Sequence, residues 1–214
     1  MKVRSLGTAR ALVFALLLLQ QPNALAAERL NLQRADSQPV DVRIFPVDKQ
    51  DCAGIAIISH GAGGSENGYA YLGQALAAQG WLTLVPGHRE SSRQALGKLV
   101  RQRGLENGLA QLITNPEAYQ GRFMDIAAVH AWGQAYCNSP RAVLIGHSMG
   151  AATVMMEAGA KNHLGLVGSN RFDAYVALSP QGKGSIFPEQ AWQEINMPVL
   201  MLTGLEDDAS ITRA

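Results

Sequence analysis

Arg141-Ala142-Val143-Leu144-Ile145-Gly146-His147-Ser148-Met149-Gly150-Ala151-Ala152 is the stretch that decides how this 214-residue chain folds. A short apolar strand runs directly into Gly-x-Ser-x-Gly, and a helix-forming run follows. A backbone that turns from strand to helix in so few residues puts the serine on a tight, strained bend. Gly146 and Gly150 remove the side chains that would collide across it. Ser148 is thereby expected at the top edge of a sheet, over the positive end of a helix. The bare pattern also arises by chance; the strand before it and the helix after it give it meaning.

Upstream, Ala53-Gly54-Ile55-Ala56-Ile57-Ile58-Ser59-His60-Gly61-Ala62-Gly63-Gly64 is a second buried-strand run, ending in His-Gly and a glycine cluster. Acyl transfer at a serine needs two backbone N–H donors aimed at the oxyanion of the tetrahedral intermediate. One comes from the residue after the nucleophile, Met149. The other comes from the loop after an earlier strand, where Ala62 is the candidate. A phosphate-binding loop is the competing reading of the glycines, but neither GxxxxGK[ST] nor GxGxxG is present.

Strands are expected near Leu30–Leu32, Val40–Phe45, Ile55–Ser59, Leu82–Pro86, Ala142–Ile145, Ala174–Leu178 and Val199–Thr203. The first two form an antiparallel hairpin. Helices are expected over Tyr69–Gln79, Leu96–Thr114, Arg122–Tyr136 and Met149–Ala160, with a short piece around Pro188–Ile195. Buried strands alternating with helices argue for a mostly parallel sheet covered on both faces.

With both motifs in place, the chain resembles the α/β-hydrolase family from about Val40 to its last residue. Within that superfamily it is most similar to bacterial esterases of the dienelactone-hydrolase and platelet-activating-factor-acetylhydrolase-like type. The residues behind this are Ser59-His60-Gly61-Ala62-Gly63-Gly64, Gly146-His147-Ser148-Met149-Gly150 and Leu178-Ser179-Pro180-Gln181-Gly182. One departure is that dienelactone hydrolases proper use a cysteine where this chain has Ser148. The resemblance implies an α/β fold with a doubly wound sheet and a triad in the chain order serine, acid, histidine. The family places the acid about three residues after the glycine of the Met197–Gly204 strand and turn, which selects Asp207 over Asp208. Solvated loop carboxylates are the plainer alternative for that cluster.

No histidine follows Asp207. His60, His88, His130, His147 and His163 all precede it, so the expectation is an incomplete copy of a serine esterase, lacking the last strand and helix. This leaves the activity of the chain open. His60 and His147 belong to the two motifs, and with His88 and Gln181 they are the candidate pocket-lining residues. His88 follows the strand Trp81–Pro86, but as the base it would break the family's order. His130 and His163 read as structural or exposed.

The first 26 residues read as a secretory signal peptide. Lys2, Arg4 and Arg10 precede the apolar run Ala11–Leu19, and Ala24-Leu25-Ala26 is a cleavage site. A retained N-terminal anchor is the rival. Residues 27–214 then form one hydrolase domain, large enough for its own core. Removal of the leader takes the formal net charge from +1 to −2, which gives no electrostatic case for nucleic acid or anionic membranes. The expected location is periplasmic or secreted. In the family's sheet the strands after Cys52 and Cys137 are neighbours, which implies a disulfide between them; two separate buried thiols are the alternative.

Only a short segment, Ser179–Met197, follows the strand where this fold usually inserts a lid. That favours small or medium soluble esters over lipase substrates. Polyester-degrading cutinases share Gly-His-Ser-Met-Gly but carry aromatic residues where this chain has Ala62 and Gln181. No cofactor or metal is implied. The alternative from another class is a secreted binding protein that kept the elbow and lost the base.

Overall fold

The structure, a computed structural model, describes residues 26–139 and 141–204. Residues 1–25 of the expected signal peptide, Asp207 and Asp208 lie outside the described residues. Seven strands form one sheet in the order β1-β2-β4-β3-β5-β6-β7: β1 Glu28–Gln33, β2 Pro39–Phe45, β3 Gly54–Ser59, β4 Trp81–Pro86, β5 Ala142–His147, β6 Ala174–Leu178 and β7 Val199–Leu202. β1 and β2 are antiparallel, with Leu30 opposite Val42 and Leu32 opposite Val40, and β2 is antiparallel to β4. From β4 to β7 every pairing is parallel. The hairpin turn closes where the Arg34 N–H donates to Gln38 O and the Ser37 N–H to Arg34 O.

The described helices are α1 Ala70–Ala77, α2 Arg93–Arg103, α3 Leu105–Ile113, α4 Pro116–Tyr136 and α5 Met149–Glu157; α1, α4 and α5 pack on the sheet, while α2 and α3 pack mainly against each other. All six residues of β3 are buried, which is why it reads as a continuous apolar run rather than an alternating one. Ile55 and Ile57 join the main core with Ile126, Val129 and Met155 of α4 and α5. Ala56 and Ile58 join a second cluster with Phe45, Val85 and residues of α1. One strand thus serves both layers, and truncating Ile57 to alanine is expected to cost about 2–5 kcal/mol.

Two helical expectations need correction. The single helix over Leu96–Thr114 is two, because Gly104 takes φ 79° between them. The next begins at Pro116 rather than Arg122, since Asn115 accepts the Glu117 N–H at 2.8 Å and Pro116 occupies the first turn. A third piece, around Pro188–Ile195, is a series of turns closed by bonds such as Ala191 N–H to Pro188 O.

Cys52 and Cys137 are bonded, with Cα atoms 5.8 Å apart across 85 residues. Cys137 follows α4, so the bond ties that helix's C-terminal end to the chain entering β3. None of the described helices is long and apolar enough to cross a membrane.

Candidate active site

Ser148 sits between β5 and α5 with φ 54° and ψ −118°, a conformation that few side-chain-bearing residues adopt. Packing around it dictates the two glycines. A Cβ on Gly146 would lie 2.1 Å from Gly150 O, and one on Gly150 would lie 2.0 Å from Ser59 O. The Ser148 N–H donates to Leu178 O at 3.0 Å, which ties the bend to β6. Ser148 is half-buried, and its hydroxyl makes no hydrogen bond among the described residues.

The loop after β3 lies against this bend. A Cβ placed on Gly61 would sit 3.4 Å from Ser148 Cβ and 3.4 Å from His147 Nδ1. Neither the Ala62 N–H nor the Met149 N–H donates to a protein acceptor among the described residues. Two unspent amides on the elements that flank a serine are the donors an oxyanion site requires. The Met149 amide is also the first of a helix, where the backbone carries partial positive charge.

Beneath the loop is a buried polar cluster, most of whose side chains the sequence did not single out. His88 Nε2 lies 2.9 Å from Ser59 Oγ, and His88 Nδ1 lies 2.8 Å from Asp125 Oδ2. Arg122 donates through Nε to Ser91 Oγ at 2.9 Å, and through Nη1 to Ser59 Oγ at 3.1 Å and His60 O at 2.7 Å. Arg34 bridges Asp125 at 3.3 Å and Glu90 at 2.8 Å. Ser59 and Arg122 are fully buried, and His88 is 1% exposed.

The proton positions follow from this geometry. His60 Nδ1 faces Gly61 O at 2.7 Å and must donate; its Nε2 accepts the His88 N–H at 3.1 Å. His60 is therefore a neutral imidazole in one tautomer. Burial, with the Arg122 charge, lowers its pKa to about 3. Burial and the same guanidinium hold His88 well below the usual histidine range. Burial pushes the Asp125 carboxyl up, to about 8, against the pull of Arg34.

The expected pocket-lining residues separate. His60 is buried in the polar cluster rather than lining an open pocket. His147 is half-buried, with its ring 6.0 Å from that of Tyr69. Gln181, just after β6, is half-buried, and its Oε1 has no hydrogen-bond partner among the described residues. A cavity of about 760 Å³ is bordered by Gly63–Gly68 and Gly87–Arg89; His88 borders it, while Ser148 does not. His130 packs edge-on against Phe172, and His163 is exposed. None of the five histidines hydrogen-bonds Ser148. The described residues hold no group of three or more His, Cys, Asp or Glu suited to a metal ion.

The polar cluster had one readable signal. Arg122 and Asp125 fall on the buried stripe of α4 with Tyr119, Ile126 and Val129, and a charge at the core-facing position of a helix needs partners. Ser59, Ser91 and His88 offered no comparable periodic mark.

Comparison with solved structures agrees on the fold. An acylaminoacyl peptidase from Pyrococcus horikoshii superposes with a TM-score of 0.57 at 15% identity, over 98% of this chain and 36% of that one. An α/β serine hydrolase without a lid from Xanthomonas campestris gives 0.53 at 17% identity, over 88% and 75%. A CIB-like hydrolase from Thermoplasma acidophilum gives 0.50 at 16%, over 82% and 72%. The chain spans only about a third of the length of the acylaminoacyl peptidases it matches. No curated protein matches it. The family model for the α/β hydrolase fold matches residues 57–207, a span that takes in both glycine motifs. By that match and by its sheet, this chain belongs to the α/β-hydrolase fold family.

Proposed function

We propose that the protein is a serine hydrolase of carboxylic esters, acting on small to medium soluble substrates through an acyl-enzyme at Ser148. One observation carries this: a serine on a left-handed bend, its hydroxyl uncommitted, between the free amides of Met149 and Ala62. In the step proposed, Ser148 Oγ attacks the ester carbonyl while its proton passes to a base. The two amides receive the charge that develops on the carbonyl oxygen. Collapse expels the alcohol, which takes up the proton, and water then releases the acid and regenerates Ser148. Asp207 is the proposed partner for the histidine base. The glycine-rich loop and the Ser179–Gln181 segment support kinship with the dienelactone-hydrolase-like esterases. The Cys52–Cys137 bond supports export to an oxidising compartment.

A second reading, a binding protein that no longer turns over esters, has its own supporting observation. His60 and His88 have both ring nitrogens engaged inside the protein, so neither has a nitrogen left for Ser148. The test is to express the full reading frame and treat the protein with a fluorophosphonate probe. Labelling at Ser148 with turnover of p-nitrophenyl acetate is expected for the esterase. An unreactive Ser148 in that protein favours the binding protein.

A further inference from the structure

The Ala62 amide can serve an oxyanion only if the Gly61–Ala62 peptide is turned the right way, and its neighbours show what turns it. In a trans peptide the C=O and the following N–H point in opposite directions. Whatever holds Gly61 O inward therefore points the Ala62 N–H outward. Gly61 O accepts from His60 Nδ1 at 2.7 Å, from the Gly64 N–H at 3.1 Å and from Arg122 Nη2 at 3.5 Å. The preceding carbonyl, His60 O, accepts from Arg122 Nη1 at 2.7 Å. Arg122 thus grips two successive carbonyls of the loop from below.

The guanidinium is well placed for this. It is fully buried, and its other bonds, to Ser91 Oγ and Ser59 Oγ, fix its plane against the segment before α2 and the end of β3. Among the described residues no carboxylate pairs with it directly; Asp125, on the next turn of α4, is engaged by Arg34 and His88. A buried cation whose bonds go to two loop carbonyls and two hydroxyls is an expensive way to fill a core. Its rigid fork supplies what a lysine cannot: several donors in one plane at fixed spacing.

We infer that Arg122, with neutral His60, is the positioning residue of the oxyanion site, holding the Gly61–Ala62 peptide so that the Ala62 amide faces the substrate oxygen. It touches no reacting atom and acts through the loop. This rests on the esterase reading of Ser148. The predicted signature is a loss confined to the transition state: kcat falls while KM holds.

The experiment compares wild type, Ser148→Ala, Arg122→Lys and Ser91→Ala in the protein from the full reading frame, by p-nitrophenyl acetate kinetics and melting. Ser148→Ala reports on the function itself. If it retains turnover, the esterase reading fails and this inference falls with it. With Ser148-dependent turnover established, Arg122→Lys should lower kcat about 100-fold, the scale of one lost oxyanion donor, with KM within about threefold. Wild-type kcat in a folded Arg122→Lys protein overturns the inference, as does a loss that falls on KM alone. Should Arg122→Lys fail to fold, Ser91→Ala decides: it frees only the Nε side of the guanidinium, and a kcat about tenfold lower with a near-normal melt is expected. An unchanged kcat there overturns the inference.

Discussion

Ser59 and Ser148 stand at the ends of two adjacent parallel strands, β3 and β5, and their surroundings are opposite. Ser59 has a histidine at 2.9 Å whose other nitrogen meets an aspartate at 2.8 Å, the distances of a working triad, yet it is fully buried. Its oxygen also accepts from Arg122. Ser148 has no histidine bonded to it, but it is partly open and flanked by two amides with nothing to donate to. A Ser–His–Asp arrangement with every group satisfied is framework. Unspent donors beside a reachable oxygen are what the reaction proposed at Ser148 needs, because only they can bond better to a transition state than to what is already there.

The sharpest way to break this contrast is to exchange the two serines for alanine in the full-frame protein. Ser148→Ala should lower kcat by about a million-fold, as loss of such a nucleophile does. Ser59→Ala should leave Ser148 labelled by a fluorophosphonate and lower kcat by no more than about tenfold. A million-fold loss in Ser59→Ala with its fold intact would reverse the assignment of the two serines.

The far end of the sheet supplies a control on stability alone. Cys52–Cys137 closes 85 residues, and the chain-entropy estimate for such a loop is about 4–5 kcal/mol. Replacing both cysteines with serine should lower the unfolding free energy by up to that amount, measured in urea, while Ser148 stays reactive. A reactivity loss exceeding the fraction unfolded would show that the two ends of the sheet are coupled.

A smaller effect is expected in the cluster itself. Ser59→Ala removes an acceptor from Arg122 and a partner from His88, leaving buried polar groups short of a bond, which costs about 1–3 kcal/mol. Urea unfolding checks this directly, and a change below about 0.5 kcal/mol would mean that water or a shifted rotamer replaces the hydroxyl.

How much of this was legible in the sequence follows from the kind of signal each part leaves. The strands were readable to within about two residues at either end, because apolar runs such as Ile55–Ile58 bounded by glycine and polar residues have one physical reading. The elbow was readable because backbone crowding dictates Gly146 and Gly150. The break at Gly104 was not, since a lone glycine inside a helical pattern is tolerated as often as it stops the helix. Arg34, Ser59, His88 and the α4 pair Arg122 and Asp125 come from four separate elements or loops and meet only in three dimensions. A pairing of that kind has no period and no spacing, so the sequence could mark a misplaced charge on α4 but not its partners.

The acid limb of stability tests whether the cluster is neutral where the geometry says it is. His60 keeps a folded pKa near 3, and His88 also lies below its ordinary range. Below about 6.5 the unfolded chain takes up protons on both imidazoles while the folded chain does not, so their contribution to stability is lost as pH falls through that window. Buried His130, shifted the same way, adds in the same sense. Asp125 runs opposite: its folded pKa, raised to about 8, means the folded chain holds that proton more tightly, adding stability at low pH that is lost as pH rises from about 4 to 8. The imidazoles outnumber the carboxyl, so the net change from pH 7 to pH 5 is a loss of about 1–2 kcal/mol. Urea unfolding at the two values measures it. His60→Gln, which keeps an N–H for Gly61 O, removes one of the opposing imidazoles and should flatten the dependence. An unchanged pH slope in His60→Gln would mean that His60 is protonated in the folded protein, contrary to its bond from the His88 amide.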